Sequence, residues 1–155
     1  MQIKNIAAGA LLLSSMAEAT TKYKSGGVKT YETFKYGKFS VSMKAANKKG
    51  TISSMFTYWE GPNWSKSGWN ELDVEICPSM ANPFSTNIIS SGQTMDQEYI
   101  DGFLPKSDWN TYVIVWTPNR ITWKLNGVKV RTVLSSDSKD VADENKDQHL
   151  FMNFW

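Results

Sequence analysis

Cysteine and histidine are almost absent from this chain of 155 residues, which has one of each, Cys77 and His149. A single cysteine cannot form an intramolecular disulfide, so stability must come from a packed core. Since no histidine lies beside Cys77 in the sequence, we expect this cysteine to be a buried packing residue rather than a catalytic nucleophile. One histidine also gives no His-x-His or His-x-x-x-His spacing, and we expect neither a metal nor another cofactor.

The chain also lacks a large excess of charge and a long apolar run. It has 17 Lys and Arg against 15 Asp and Glu, and this balance argues against nucleic acid as a partner and favours a neutral substrate. The apolar run of residues 6–13 is too short to span about 30 Å of hydrocarbon. It lies between a cationic start and the small-x-small triplet at residues 17–19, which is the pattern of a secretory signal peptide. We therefore assign residues 1–19 to a signal peptide and residues 20–155 to one domain, and expect a secreted, extracellular monomer with no membrane association after cleavage.

Aromatic residues are abundant, at 13% of the chain with 7 Trp. Trp and Tyr rings stack on the apolar faces of sugars while their polar edges stay hydrated. The same residues also fill the cores of β proteins. The composition alone leaves both interpretations open.

Alternation of apolar and polar residues, together with β-branched and aromatic residues, dominates after residue 26 and predicts an all-β fold. No stretch holds a helical period over three turns. The predicted strands are Gly27–Tyr31, Lys38–Ala45, Ile52–Tyr58, Glu71–Cys77, Phe84–Ser90, Thr111–Trp116, Arg120–Leu125, Val128–Val133 and Leu150–Phe154. Short strands with frequent turns favour a sandwich or jelly roll.

The turn signals divide these strands. Asn126-Gly127 suits a two-residue type I′ hairpin turn, so residues 111–133 are predicted to form a three-stranded meander. Loops are predicted at Trp59–Gly68, Ser91–Asp108 and Ser135–Gln148. The last is rich in charge but lacks the glycine and terminal glutamate of an EF-hand loop, and we interpret it as solvated.

The segment from residue 71 to residue 76 alternates acidic and apolar side chains. In a strand, Glu71, Asp73 and Glu75 project from one face, whereas the apolar residues between them project into a core. Like charges at this spacing repel and raise at least one pKa, which an acid–base site exploits. A solvated outer face is the alternative, although no basic residue intervenes. The pattern alone leaves both open.

Aromatic residues bracket these acids, with Tyr58 and Trp69 nearest and Trp59, Trp64 and Trp155 as further cleft candidates. Glycoside hydrolysis needs one protonated carboxyl to assist the leaving oxygen and one ionised carboxylate at the sugar's oxocarbenium-like centre. Carboxyl groups about 5–5.5 Å apart imply retention of configuration, and a larger gap implies inversion. The sequence does not decide between the two outcomes.

The residues around this predicted strand resemble those of a known family. The segment Glu71-Leu-Asp73-Val-Glu75 is similar to the Glu-x-Asp-x-Glu signature of glycoside hydrolase family 16, which includes the laminarinases and lichenases. Its flanks resemble a lichenase in the same order over residues 22–155, at Tyr36-Gly-Lys-Phe39, Met43-Lys44, Gly50-Thr-Ile-Ser-Ser-Met-Phe56, Tyr58, Trp69, Asn87, Trp116-Thr-Pro118, Asn126-Gly127 and Met152-Asn153-Phe-Trp155.

The resemblance implies a concanavalin-like jelly-roll β-sandwich with a concave cleft for a β-glucan polysaccharide and a retaining double displacement. It makes Glu71 the nucleophile, Glu75 the general acid/base and Asp73 the residue that tunes their pKa values. The implied substrate-binding residues are Tyr58, Trp69, Asn87, Asn153 and Trp155. The implied activity is that of a secreted endo-β-glucanase acting on β-1,3-1,4-linked or β-1,3-linked glucan.

The sequence departs from lichenases at several cleft positions, including Lys29, Ser85 and Ile89, and these changes bear on subsite preference. The resemblance also implies further strands before Lys22 and after Trp155, so we expect a fragment whose sandwich is incomplete. Two other functions stay open. A transglycosylase uses the same residues, and a non-catalytic lectin-like module uses the same sandwich, although a binding module gains nothing from a repulsive triad.

Overall fold

A computed structural model describes residues 24–59, 68–90, 94–103 and 108–155 and has the predicted all-β architecture. The elements are β1 (Gly26–Phe34), β2 (Gly37–Met43), β3 (Ser53–Tyr58), β4 (Glu71–Ile76), β5 (Phe84–Ser90), β6 (Thr94–Met95), β7 (Glu98–Tyr99), β8 (Asn110–Thr117), β9 (Arg120–Leu125), β10 (Val128–Leu134), α1 (Lys139–Asp143) and β11 (Gln148–Phe154). The predicted signal peptide and Trp64 lie outside the described residues. In the part of the chain that is described, no helix is long and apolar enough to cross a membrane.

The strands form two antiparallel sheets, which confirms the predicted jelly-roll β-sandwich. The larger sheet has seven strands in the order β1-β11-β3-β4-β5-β6, with β7 also paired to β5. The smaller sheet has four, in the order β10-β9-β8-β2. Strand β4, which carries the three acids, lies inside the larger sheet between β3 and β5.

The core lies between the two sheets and follows from the alternation in each strand. On β4, Leu72, Val74 and Ile76 are at most 1% exposed. Facing them from the smaller sheet are buried residues that include Trp116 and Trp123, both fully buried. Burying each large apolar side chain stabilises the fold by about 1.5–3 kcal/mol. These two tryptophans are therefore core residues, whereas Trp69 and Trp155 remain accessible.

The core also supports β4 through its backbone, because the Trp123 indole Nε1 donates a hydrogen bond to the Asp73 carbonyl oxygen at 2.9 Å.

The predicted hairpin and meander are confirmed. Asn126 and Gly127 have φ values of 50° and 84°, the left-handed conformation that a type I′ turn requires at both positions. Strand β8 pairs with β9, and β9 pairs with β10, in the order along the chain.

A buried cation joins the two sheets. Arg131 on β10 stacks over Trp123, 5.0 Å from the ring centroid, and forms ion pairs with Asp96 at 2.7 Å and Glu98 at 2.9 Å. Its Nη1 also donates to the carbonyl and hydroxyl oxygens of Thr86 on β5. Arg131 thus fixes β5 and the segment around β7 against the smaller sheet.

The interpretation of Ser135–Gln148 as a solvated loop is wrong. Ser138 caps the helix α1 by accepting a hydrogen bond from the Asp140 backbone N–H, and Asp140, Val141 and Glu144 are buried. The Ser90 hydroxyl donates to Asp140 at 2.6 Å, so this buried acid has a partner on β5. A helix of five residues is too short to show a period in the sequence.

Two smaller predictions also differ from the structure. Part of the predicted loop Ser91–Asp108 forms the short strands β6 and β7, which pair with β5. Cys77 is half-buried rather than fully buried, because β4 ends one residue before it and the chain turns away through residues 78–82.

Candidate active site

Strand register places the predicted site residues on one face of the larger sheet. Residues directly opposite each other in antiparallel strands project to the same side. Glu71 is opposite Tyr58 and Ile89, Asp73 is opposite Phe56 and Asn87, and Glu75 is opposite Ser54 and Ser85. The next strand, β11, adds His149, Phe151 and Asn153 to these three rows. We call this side, opposite the core, the carboxylate face.

Glu71 accepts two side-chain hydrogen bonds on this face. The indole Nε1 of Trp69 donates to Glu71 Oε2 at 2.5 Å, and Asp73 donates a hydrogen bond to the same carboxylate. Burial raises the pKa of Glu71 and the charge of Glu75 adds to the rise, whereas the two hydrogen bonds oppose it. Among the three acids, Glu71 is therefore the one whose charge is directly stabilised by donors on both sides.

Asp73 is the most deeply buried of the three, with 5% of its surface exposed. Its pKa is raised well above the usual value, and burial is the largest cause. The charge of Glu71, the hydrogen bond to Glu71 and the charge of Glu75 raise it further, in that order. A hydrogen bond with Asn87 lowers it. Burial and the neighbouring charges therefore favour the protonated form of Asp73, which donates a hydrogen bond to Glu71.

Glu75 lies at the other end of the row of acids and is partly exposed. Burial raises the pKa of its carboxyl, which keeps it protonated to higher pH than a solvated glutamate. Its neighbours across the sheet, Ser54 and Ser85, are small and hydroxylated. Space above Glu75 is thus bounded by short polar side chains.

Asn87 has a second polar atom available on the carboxylate face. Its Oδ1 is buried and has no hydrogen-bond partner among the described residues. A buried amide oxygen without a partner costs free energy, which a hydroxyl donor on a bound ligand would recover. This observation supports the prediction that Asn87 binds substrate.

Aromatic rings cover much of the carboxylate face beside the acids. Tyr58 contacts Trp69 edge-on, with centroids 6.4 Å apart. Phe56 and Phe151 stack at 5.0 Å with an interplanar angle of 11°, and Lys29 Nζ lies 5.7 Å from the Phe151 centroid. These rings, stacked or edge-on to one another, provide an apolar surface next to the carboxyl groups.

Asn153 and Trp155 lie farther from the acids than the other predicted residues. They are on and just after β11, two strands from β4, a separation of about 10 Å. Ser54 Oγ donates a short hydrogen bond to Asn153 Oδ1. Both residues line an open cavity of about 750 Å³ that also includes Lys29 and Phe56. The acids and the cavity therefore occupy adjacent parts of one face.

Sequence reasoning missed Phe56 and Phe151 as members of this face. Phe56 could have been found, since it is two residues before Tyr58 and shares its strand parity. Phe151 becomes a neighbour only through the pairing of β11 with β3. The structure also places Ser85, Ile89 and Lys29 on the carboxylate face, by their register opposite Glu75, Glu71 and Phe151. Within the described ranges, no group of three or more His, Cys, Asp or Glu side chains is arranged to hold a metal ion.

Comparison with known proteins agrees with this geometry. The β-glucanase of Brevibacillus brevis is 33% identical to 98% of this chain, which covers 58% of that protein. The β-glucanase of Fibrobacter succinogenes is 32% identical over 97% of this chain and 43% of that protein. The chain thus spans about half the length of these relatives.

Solved structures with the same fold include a Bacillus licheniformis β-glucanase, with a TM-score of 0.67 and 27% identity over 83% of this chain and 57% of that one. A Crh5 transglycosylase in complex with NAG has a TM-score of 0.74 and 26% identity over 88% of this chain and 56% of that one. The model of the glycosyl hydrolases family 16 matches residues 4–155. The carboxylate signature, the sandwich and these matches agree, and the chain belongs to glycosyl hydrolases family 16.

Proposed function

We propose that this chain carries the catalytic strand and the cleft floor of a secreted endo-β-glucanase, which hydrolyses β-1,3-1,4-linked or β-1,3-linked glucan with retention of configuration. The observation that carries the proposal is the placement of Glu71, Asp73 and Glu75 on one face of β4, with the Asp73 side chain hydrogen-bonded to Glu71. Two β-glucanases of similar sequence support the glucan as substrate. The N-terminal pattern of residues 1–19 supports secretion.

In the first step, Glu71 attacks the anomeric carbon as a carboxylate, while Glu75 transfers its proton to the glycosidic oxygen. The bond to the leaving sugar breaks and a glycosyl ester on Glu71 forms. Hydrogen bonds from Trp69 and Asp73 favour the ionised form of Glu71 and orient its carboxylate. The raised pKa of Glu75 extends to higher pH the range in which its proton is available for transfer.

In the second step, Glu75 acts as a base. It removes a proton from water, the resulting hydroxide attacks the anomeric carbon, and Glu71 leaves as a carboxylate. Its departure restores a carboxylate next to Asp73, and the hydrogen bond from Asp73 stabilises that returning charge. Asp73 thus stabilises the Glu71 carboxylate before the first step and again at the end of the second.

The aromatic rings and Asn87 bind the sugar chain. Tyr58 and Trp69 lie at the Glu71 end of the face, where their rings can stack on a pyranose. Asn87 Oδ1 accepts a hydrogen bond from a sugar hydroxyl beside Asp73. Asn153 and Trp155 line the adjacent cavity, where they contact sugars farther along the polymer.

The proposal is tested by product analysis on mixed-linkage glucan, laminarin and xyloglucan. We expect oligosaccharides from one of the first two, with the β-anomer formed first in NMR spectra. The variant Glu71→Gln should fold and release no product. Unchanged activity in this variant would remove Glu71 from the mechanism, whereas retained glucan binding without activity in the unaltered protein would favour the lectin-like alternative.

A transglycosylase is a second candidate, and the likeness to the Crh5 transglycosylase favours it. In that case a sugar hydroxyl, not water, resolves the glycosyl ester on Glu71, and the same residues act in both steps. The two activities differ in their products. A fluorescently labelled acceptor oligosaccharide that grows in mass during the reaction identifies a transglycosylase, and one that stays unchanged identifies a hydrolase.

A further inference from the structure

A fourth carboxyl lies behind the catalytic strand, in the segment expected to be solvated. Glu144, the C-cap residue of α1, is fully buried. Its Oε1 accepts a hydrogen bond from Asn70 Nδ2 at 2.9 Å, and its Oε2 lies 2.6 Å from Gln148 Nε2. Asn70 immediately precedes β4 and Gln148 begins β11, so three elements of the fold meet at one carboxyl.

These contacts continue to Glu71. The Glu144 carboxyl accepts a hydrogen bond from the Glu71 backbone N–H. Asn70 Nδ2 also donates to the Asp143 carbonyl at 2.9 Å, and the Asn70 carbonyl accepts from the Trp59 N–H at 3.0 Å. These hydrogen bonds therefore fix the backbone at residues 70 and 71, whereas Trp69 donates to the Glu71 side chain on the carboxylate face.

We propose that Glu144 is a positioning residue, which acts through Asn70, Gln148 and the Glu71 backbone to fix the start of β4 and so orients the candidate nucleophile. The inference rests on the proposed role of Glu71. Its physical basis is that a displacement of about 1 Å at a reacting group can cost about a hundredfold in rate. Asn70 and Gln148 each lie one residue before a residue of the carboxylate face, so the alternation of side chains along a strand places them on the opposite side of the sheet.

Burial of the Glu144 carboxyl gives its positioning role a dependence on pH. Burial raises the pKa of Glu144 to about 8, against the hydrogen bonds from Asn70, Gln148 and the Glu71 N–H, and the charge of Glu71 contributes to the rise. Glu71 is the titratable group that interacts with it from β4, and Asp143 and Lys146 are its charged neighbours in sequence. The groups that contact it from the Asn70 segment and from β11 are neutral amides.

Gln148 offers an acceptor for the proton of neutral Glu144. Its Oε1 is buried and has no hydrogen-bond partner among the described residues. In the structure Gln148 Nε2 donates to Glu144 Oε2 at 2.6 Å, and a half-turn of the amide would bring Oε1 to this position to accept the proton of the neutral carboxyl. Above pH 8, ionisation removes this bond and leaves a buried negative charge behind Glu71.

The test compares kcat/KM from pH 5 to pH 10 for the unaltered protein, Glu144→Gln and Glu144→Ala. The substrate is an aryl β-glycoside of a glucan oligosaccharide with a good leaving group. Its cleavage needs no proton from Glu75, so the loss of that proton at high pH does not lower the measured rate. Asp143→Asn is the matched control, since the backbone carbonyl of Asp143, not its carboxyl, contacts Asn70.

We expect the unaltered protein and Asp143→Asn to lose kcat/KM as pH rises through about 8. Glu144→Gln replaces the carboxyl with an amide of the same size that cannot ionise, so kcat/KM of this variant should stay level across this range. Glu144→Ala should lower kcat about ten- to a hundredfold at pH 6 with little change in KM. Should Glu144→Ala fail to fold, the profile of Glu144→Gln alone decides.

An alkaline limb in Glu144→Gln identical to that of the unaltered protein would overturn the inference. If Glu71→Gln is inactive at the same time, only the positioning role fails and the proposed function stands. If Glu71→Gln hydrolyses the substrate normally, the proposed function itself is wrong.

Discussion

Neutralising Asp73 should stabilise the protein while it impairs catalysis. Asp73 is 5% exposed and lies between Glu71 and Glu75 on one face of β4. Its ionised form is disfavoured by burial and by the charges of both neighbours. Asparagine has the same shape and can still donate a hydrogen bond to Glu71. Because Asp73→Asn is neutral at every pH, its folding requires neither proton uptake at this position nor a charge beside Glu71, and no cavity is created.

The magnitude follows from the strand geometry. Same-face neighbours two residues apart in a strand are roughly 7 Å apart. At an effective dielectric constant of about 20, two like charges at this distance repel by about 2 kcal/mol. We expect Asp73→Asn to raise the free energy of unfolding by about 2 kcal/mol at pH 8, which corresponds to about 4–8 °C in Tm for a domain of this size.

The sign of the pH dependence is fixed by the raised pKa. Because the folded protein binds the Asp73 proton more tightly than the unfolded chain does, Asp73 lowers stability progressively as pH rises above about 4. The stabilisation in Asp73→Asn should therefore be small at pH 5 and larger at pH 8. Thermal denaturation followed by circular dichroism at both values measures it, with the exposed residue change Glu32→Gln as control. A lower Tm for Asp73→Asn at pH 8, or an equal shift at both pH values, would refute the electrostatic argument.

Two further predictions concern contacts on either side of the larger sheet. Trp69→Phe removes the indole donor that lowers the pKa of Glu71, so this pKa should rise and the acidic limb of kcat/KM should move to higher pH. The exposed Trp109→Phe should leave the limb in place, and an unmoved limb in Trp69→Phe would contradict the assignment. Arg131→Met should lower the free energy of unfolding by about 2–3 kcal/mol in urea titrations, because Arg131 is buried and hydrogen-bonded to Thr86 and paired with Asp96 and Glu98. A decrease in the free energy of unfolding below about 0.5 kcal/mol would show that these contacts contribute little to stability.

Local patterns were sufficient to predict the main strands. The alternation at residues 71–76 predicted both the core face and the carboxylate face of β4, and Asn126-Gly127 predicted the turn between β9 and β10. The helix α1 could not be predicted in this way, because it is short and its buried acids resemble those of a solvated loop. Only the tertiary partners Ser90 and Asn70 make burial of Asp140 and Glu144 tolerable.

The three acids were predicted from the strand pattern and Asn87 from the family resemblance. The hydrogen bonds between their side chains were not predicted. That Asp73 and Trp69 both donate hydrogen bonds to the Glu71 carboxylate depends on side-chain geometry. The Phe56–Phe151 stack depends on the register between β3 and β11, which are almost a hundred residues apart in the chain. Patterns with a period of two residues identify a face but not the neighbours on adjacent strands.

The central claim is that Glu71 is the nucleophile, and chemical rescue tests it most directly. In Glu71→Ala, an activated aryl β-glycoside should be cleaved only when azide is added, since azide fills the space left by the carboxylate and attacks the same side of the anomeric carbon. We expect an α-glycosyl azide as the product, identified by NMR. A β-glycosyl azide, or equal rates with and without azide, would contradict it.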